Sequence, residues 1–150
     1  MTIVSDASPI IALFEIDQLD LLKKLYSEIY ITDVVAKEVE ISIPDWIRIT
    51  SEYDKVKYQI LRNKLDPGEA SAIAYCQDNH GCVLIIDERK GRKIAKEFNI
   101  TIIGLLGVIV LAQKSDQIES GIKVINKLID KDFRISNSIL RIVIDKLNDL

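Results

Sequence analysis

Short apolar runs recur along the chain, each followed by a longer stretch whose apolar positions return every three or four residues. Thr2 to Ser5, Ile29 to Thr32, Val83 to Ile86 and Ile100 to Ile103 are rich in β-branched residues and bounded by polar or turn-forming ones, so they read as strands. Val83 to Ile86 is apolar throughout, as a strand covered on both faces of a parallel sheet would be. Pro44 to Thr50 instead alternates Trp46, Arg48 and Thr50 against Ile47 and Ile49, which predicts a short edge strand with one wet face.

The intervening segments predict helices. Ser8 and Pro9 suit an N-cap and a first helical residue for a helix through about Ala12 to Phe14. A second helix is expected over Leu19 to Ser27, and Asp33 opens a third that carries Glu38. Asp66-Pro67-Gly68-Glu69 combines an N-cap aspartate, a proline at the first helical position and a glutamate at the third, starting a helix that runs to about Asp78. Asn79-His80-Gly81 is expected to end it with a left-handed cap. Arg89 to Phe98 and three segments near 105–115, 118–130 and 136–148 complete the helices. Strands alternating with helices imply parallel pairing through right-handed crossovers, and ligands in such sheets gather beyond the carboxyl ends of the strands.

Asp6 and Asp87 stand at two such ends, and Glu38 and Glu69 lie on the helices that follow or precede them. Carboxylates brought together repel unless a cation joins them, and hard divalent ions such as Mg²⁺ or Mn²⁺ prefer oxygen ligands. Each acid also has a structural alternative. Asp6 could satisfy turn amides. Glu38 could be a solvated charge on a wet helix face. Glu69 completes a capping box with Asp66, which on spacing alone is the favoured reading. Asp87 could cap the next helix, but that helix opens with Arg89, Lys90, Arg92 and Lys93, whose charge opposes the positive end of the helix dipole. A phosphate or an acid cluster beside it would offset that cost; the same four cations also suit a solvated face.

Composition narrows the field. The chain has 150 residues, 48% of them hydrophobic, and reads as one domain, residues 1–150, with an ample core. Its net charge of -3 argues against a whole-surface grip on nucleic acid, so any such contact must use a local basic patch. Cys76 and Cys82 match neither a zinc pair nor a redox dithiol and read as buried thiols in a reducing compartment. The N-terminal stretch lacks a basic leader, and the apolar run from Ile100 to Ala112 is too short to span a bilayer, so a soluble, cytoplasmic protein is expected. His80 is the only histidine, no phosphate-binding glycine motif follows the first strand, and Asp6-Ala7-Ser8 lacks a second aspartate. Metal-assisted hydrolysis is the reaction best served.

Ile3-Val4-Ser5-Asp6-Ala7-Ser8-Pro9, Val35-Ala36-Lys37-Glu38-Val39, Gly68-Glu69-Ala70-Ser71-Ala72-Ile73-Ala74 and Leu84-Ile85-Ile86-Asp87-Glu88-Arg89 together resemble the PIN-domain superfamily, most closely VapC-like toxins of toxin–antitoxin loci. Thr101-Ile102-Ile103-Gly104 and Asp132-Phe133-Arg134-Ile135-Ser136 extend the resemblance along nearly the whole chain. It implies an α/β fold of three layers, α/β/α, with a central parallel sheet and C-terminal helices. It implies also an endoribonuclease that uses Mg²⁺ or Mn²⁺ held mainly by Asp6, Glu69 and Asp87, with Glu38 completing the catalytic acids. Ser8 would orient Asp6, and Arg89, Lys90, Arg92 and Lys93 would anchor the RNA. A cognate antitoxin and a homodimer are the implied partners. Glu69 stands where many relatives carry aspartate, and Glu88 offers a carboxylate that competes with Asp87. A PIN-like fold without useful turnover, serving as a binding module, is the alternative.

Overall fold

A computed structural model covers all 150 residues. Strands β1 (Thr2–Ser5), β2 (Ile29–Thr32), β3 (Ile47–Thr50), β4 (Cys82–Ile85) and β5 (Thr101–Ile103) form one all-parallel sheet in the order β3-β2-β1-β4-β5. Helices α1 (Ala7–Glu15), α2 (Asp20–Tyr26), α3 (Asp33–Val39), α4 (Lys55–Leu61), α5 (Pro67–Gln77), α6 (Arg89–Glu97), α7 (Leu105–Lys114), α8 (Gly121–Asp130) and α9 (Asn137–Asn148) cover it.

Period-two alternation divides the core. Ile3 of β1 and Ile85 of β4 enter one buried cluster with side chains of α1, α2, α3, α7, α8 and α9. Val4 and Leu84, their neighbours in sequence, enter a second cluster with α5, α6, Leu61 and Tyr53. Two helical layers thus sandwich the sheet, the α/β/α arrangement expected. Cys76 and Cys82 are free and buried in the second cluster. No helix is long and apolar enough to cross a membrane.

The chain leaves β1 in one direction to build β2 and β3, then returns to β1's other side for β4 and β5. The strand order therefore reverses between β1 and β4, which opens a crevice at their carboxyl ends. Asp6 and Asp87 leave the sheet there.

Several local expectations are corrected. Asp6, not Ser8, occupies the N-cap position of α1, and Ser8 lies within its first turn. Asp33 opens α3 as expected, and Thr32 before it supplies the cap, its hydroxyl accepting from the Val35 N–H at 3.1 Å. Glu88, not Asp87, caps α6 by accepting from Gly91 N–H at 2.8 Å. The left-handed residue after α5 is Gly81, in the turn into β4, whereas the helix's own C-cap Asp78 is right-handed. The alternation expected around β3 fails at both ends: Trp46 is buried before the strand starts, and Ile49 is 54% exposed on the sheet's free edge. Helix α4 went unpredicted, although Asp54 caps it through bonds from Val56 and Lys57 N–H.

Candidate active site

Strand ends bring two acids to the crevice. The Asp6 N–H continues the ladder by donating to Ile85 C=O at 2.9 Å, so Asp6 is fixed beside β4 as the chain turns into α1. Asp87 follows β4 and reaches sideways: its Oδ1 accepts from the Leu105 N–H at 2.9 Å, satisfying a free amide at the start of α7. Its other oxygen, Oδ2, is buried with no hydrogen-bond partner.

Helices bring two more. Glu38 projects from the wet side of α3, and its Oε1 accepts from Gly68 N–H at 2.9 Å, at the positive end of α5. A Cβ on residue 68 would lie 2.8 Å from that Oε1, so only glycine lets the carboxylate dock. Glu69, one residue on, is 4% exposed. Half of the expected capping box forms, with Asp66 accepting from Glu69 N–H at 2.9 Å. The Glu69 side chain makes no return bond to Asp66; it lies against Gly91 at the start of α6, beside Glu88. The Glu69 side chain is thus not held by the return bond of a capping box.

A buried hydroxyl chain fixes α3 against α5. Ser71 Oγ donates to Gly68 C=O at 2.8 Å and lies 2.6 Å from Thr32 Oγ1. Each hydroxyl has one proton, and Ser71's is used on Gly68, so Thr32 is the donor between them. Thr32 in turn accepts from Val35 N–H. The cap of α3 is thereby tied to the first turns of α5.

Electrostatics show what these acids lack. Burial pushes Asp6 up from 3.8 to about 7, helped by the charges of Asp66, Glu38 and Asp87 and opposed by the adjacent Ala7 amide. Burial together with Asp66, Asp6 and Glu88 raises Glu69 to about 8. Asp87 is raised by burial against the opposing Leu105 amide and Arg92, and Glu38 by burial and Asp66 against the Gly68 amide. Burial also acts upward on Glu88, but the Gly91 and Lys90 amides and the neighbouring Glu69 leave it lowered. Raised, mutually repelling carboxyls with one orphaned oxygen are the donor set that a hard divalent cation would relieve. No three of them are gathered tightly enough to seat an ion as the side chains stand.

Ser8 is exposed and makes no hydrogen bond to Asp6; the hydroxyl that touches that residue belongs to Ser5, whose Oγ donates to the Asp6 carbonyl at 2.8 Å. Arg92 donates to Ile86 C=O at 2.8 Å and partly offsets Asp87. A Cβ on residue 104 would lie 2.9 Å from both Arg92 Nη1 and Asp87 Oδ1, so Gly104 permits this close approach. Arg89, Arg92 and Lys93 line a groove of about 870 Å³ that opens on Asp87, joined there by Lys96, Arg134 and Ser136. Lys90 is absent from its lining. Asp66, Lys96, Arg134 and Ser136 lie beside the predicted residues, and sequence alone assigns none of them a place there. Asp66 reads in sequence as the cap of α5, which it is, and nothing local in Asp132-Phe133-Arg134-Ile135-Ser136 points to α6.

The chain matches a family model described as DUF3368, PIN domain, over residues 2–149, and so belongs to the PIN-domain family. PIN domains are generally nucleases that use divalent metals. No curated protein and no solved structure matches the chain.

Proposed function

We propose that this protein is a metal-dependent endoribonuclease, acting as the toxin of a toxin–antitoxin pair. One observation carries the reading: at the strand-order reversal, Asp6 and Glu69 are buried and Asp87 half-buried, all three raised in pKa and without a cationic partner of their own beyond Arg92. Such groups cost stability unless a ligand compensates them. Asp6, Glu69 and Asp87 would hold Mg²⁺ or Mn²⁺, with the free Oδ2 of Asp87 as one donor. When bound, the ion would lower the pKa of a water and stabilise charge building on the scissile phosphate. Glu38, steadied by Gly68, would orient water at the open side of the site, and Ser8, without an internal partner, could turn to orient Asp6. Arg89, Lys90, Arg92 and Lys93 were expected to hold RNA; the groove lining favours Arg89, Arg92 and Lys93.

The test is cleavage of single-stranded RNA with Mn²⁺ present. Asp87→Asn should reduce cutting to background while leaving the fold intact, and an Asp87→Asn protein that cuts at the wild-type rate would refute the mechanism. A second reading, a PIN-like binding module with little turnover, draws on the acids' failure to converge on one point. It predicts a folded protein that binds Mn²⁺ and cuts nothing. Exposed Ile139 and Ile142 on α9, and Val56 and Ile60 on α4, favour a protein partner, either a second copy or an antitoxin segment. Sedimentation showing only monomer at high micromolar concentration would remove the homodimer.

A further inference from the structure

At the amino end of the sheet, opposite the acid edge, the fold joins two thiols that stand apart in sequence. Five residues separate Cys76, near the end of α5, from Cys82, the first residue of β4, a spacing that matches no redox motif. Two consecutive turns close the gap: the Asn79 N–H donates to Cys76 C=O and the Cys82 N–H to Asn79 C=O, each at 3.3 Å. Asn79 Nδ2 also donates to Tyr75 C=O at 2.7 Å, and Gly81, at φ 82°, turns the chain into the strand. The two thiols are in hydrogen-bonding contact there. Each residue is only 5% exposed, yet both line one cavity of about 270 Å³ with His80, Phe98 and Ile100, so small solutes reach them and large ones do not.

Contact makes the two sulfurs unequal. The hydrogen bond from Cys76 lowers the Cys82 thiol against the opposing effect of burial, while that same bond, burial and the nearness of Cys82 push Cys76 up. The thiolate is the attacking form, so Cys82 is the nucleophile, and a thiol already touching it is placed to resolve what forms. We propose that Cys76 and Cys82 are a peroxide-reactive dithiol: hydrogen peroxide entering the cavity oxidises Cys82, and Cys76 then closes a reversible disulfide between α5 and β4. In the first step the Cys82 thiolate attacks one peroxide oxygen, the O–O bond breaks, and the departing hydroxide takes up the thiol's proton as water, leaving a sulfenic acid. In the second, the Cys76 sulfur bonds to the Cys82 sulfur, the S–O bond breaks, and hydroxide leaves with the Cys76 proton as a second water. The dithiol has then lost two electrons and two protons to the peroxide. Free thiols that pair only transiently suit a reducing compartment. None of the acids at the other end of the sheet takes part, so the site stands or falls independently of RNA cutting.

The experiment exposes the purified, reduced, folded protein to hydrogen peroxide and follows its thiols by mass spectrometry, with dimedone present to trap sulfenic acid. Wild type should lose both thiols together, yield a crosslinked peptide joining Cys76 to Cys82 within one chain, and regain both thiols in dithiothreitol. Oxidised glutathione, too large to bring a sulfur against Cys82 inside the cavity, should leave both thiols free over the same time. In Cys76→Ser, oxidation should halt at a dimedone-trapped Cys82; in Cys82→Ser, Cys76 should react about tenfold more slowly than Cys82 does in its counterpart. Melting temperatures check that both variants fold, and the wild-type crosslink requires neither. Thiols still free once the same peroxide has consumed added cysteine, oxidation to sulfinic acid without a crosslink, a glutathione adduct on Cys82, or faster trapping of Cys76 than of Cys82 would overturn the proposal.

Discussion

Asp6→Asn should lessen the fall of stability with rising pH. The Asp6 carboxyl is held at about 7 in the folded chain against an ordinary value of 3.8, chiefly by burial. Between those values the folded state keeps a proton that the unfolded state has released. The contribution is therefore complete below 3.8 and is lost as pH rises through about 7. At about 1.4 kcal/mol per pH unit, metal-free wild type loses roughly 4 kcal/mol from this group between pH 4 and pH 8. Asparagine matches the protonated carboxyl in shape and cannot ionise, so the variant escapes the loss. Removing the Asp6 charge also relieves Glu69, one of whose raising influences it is. Urea unfolding in EDTA at pH 5, 6, 7 and 8 reads this directly: the wild-type midpoint should fall relative to the variant's as pH rises, and Mn²⁺ at pH 8 should restore wild type far more than the variant. Parallel curves for the two proteins would refute the assignment of Asp6 as a buried, uncompensated acid.

Other perturbations separate the parts of the site. Gly68→Ala drives a methyl group into the Glu38 carboxylate, which must swing away and give up the Gly68 amide; it should lower cutting by about tenfold or more while changing stability by less than about 1 kcal/mol in chemical denaturation. Thr32→Val removes the donor to Ser71 and the cap of α3, and a loss of about 1–3 kcal/mol in urea is expected; a change below about 0.5 kcal/mol would deny the buried chain its role. Gly104→Ala should push Asp87 and Arg92 apart, weakening Mn²⁺ binding in a calorimetric titration more than it lowers the melting temperature.

Much of the architecture was legible because it depends on local pattern. Val83 to Ile86 is apolar on both faces because β4 lies inside the sheet, and Asp66-Pro67-Gly68-Glu69 does open α5. What escaped depends on tertiary placement. A capping box and a carboxylate turned towards the next helix share one spacing, and only the packing of α6 against Glu69 shows which way the side chain goes. Glu38 looked like a solvated charge because its partner, Gly68, is thirty positions away. Helix α4 was missed although Val56 and Ile60 recur four apart behind Asp54, because the segment is short and otherwise polar, and it docks through Leu61 and half-buried Tyr58 rather than through that pair. Arg134 could not be assigned to the groove from sequence, since nothing local shows that the turn before α9 comes back to α6. The four acids could be ordered along the chain, yet their common edge follows from strand order, which alternation alone does not determine.

Metal-dependent cutting is the central claim, and one measurement addresses it: incubation of a mixed RNA pool with purified protein in Mn²⁺, in EDTA, and with Asp6→Asn in Mn²⁺ as the control for contaminating nucleases. The account predicts fragments with wild type and Mn²⁺ only. Fragments that persist in EDTA or with Asp6→Asn, or none from a folded wild-type protein that binds Mn²⁺, would contradict it.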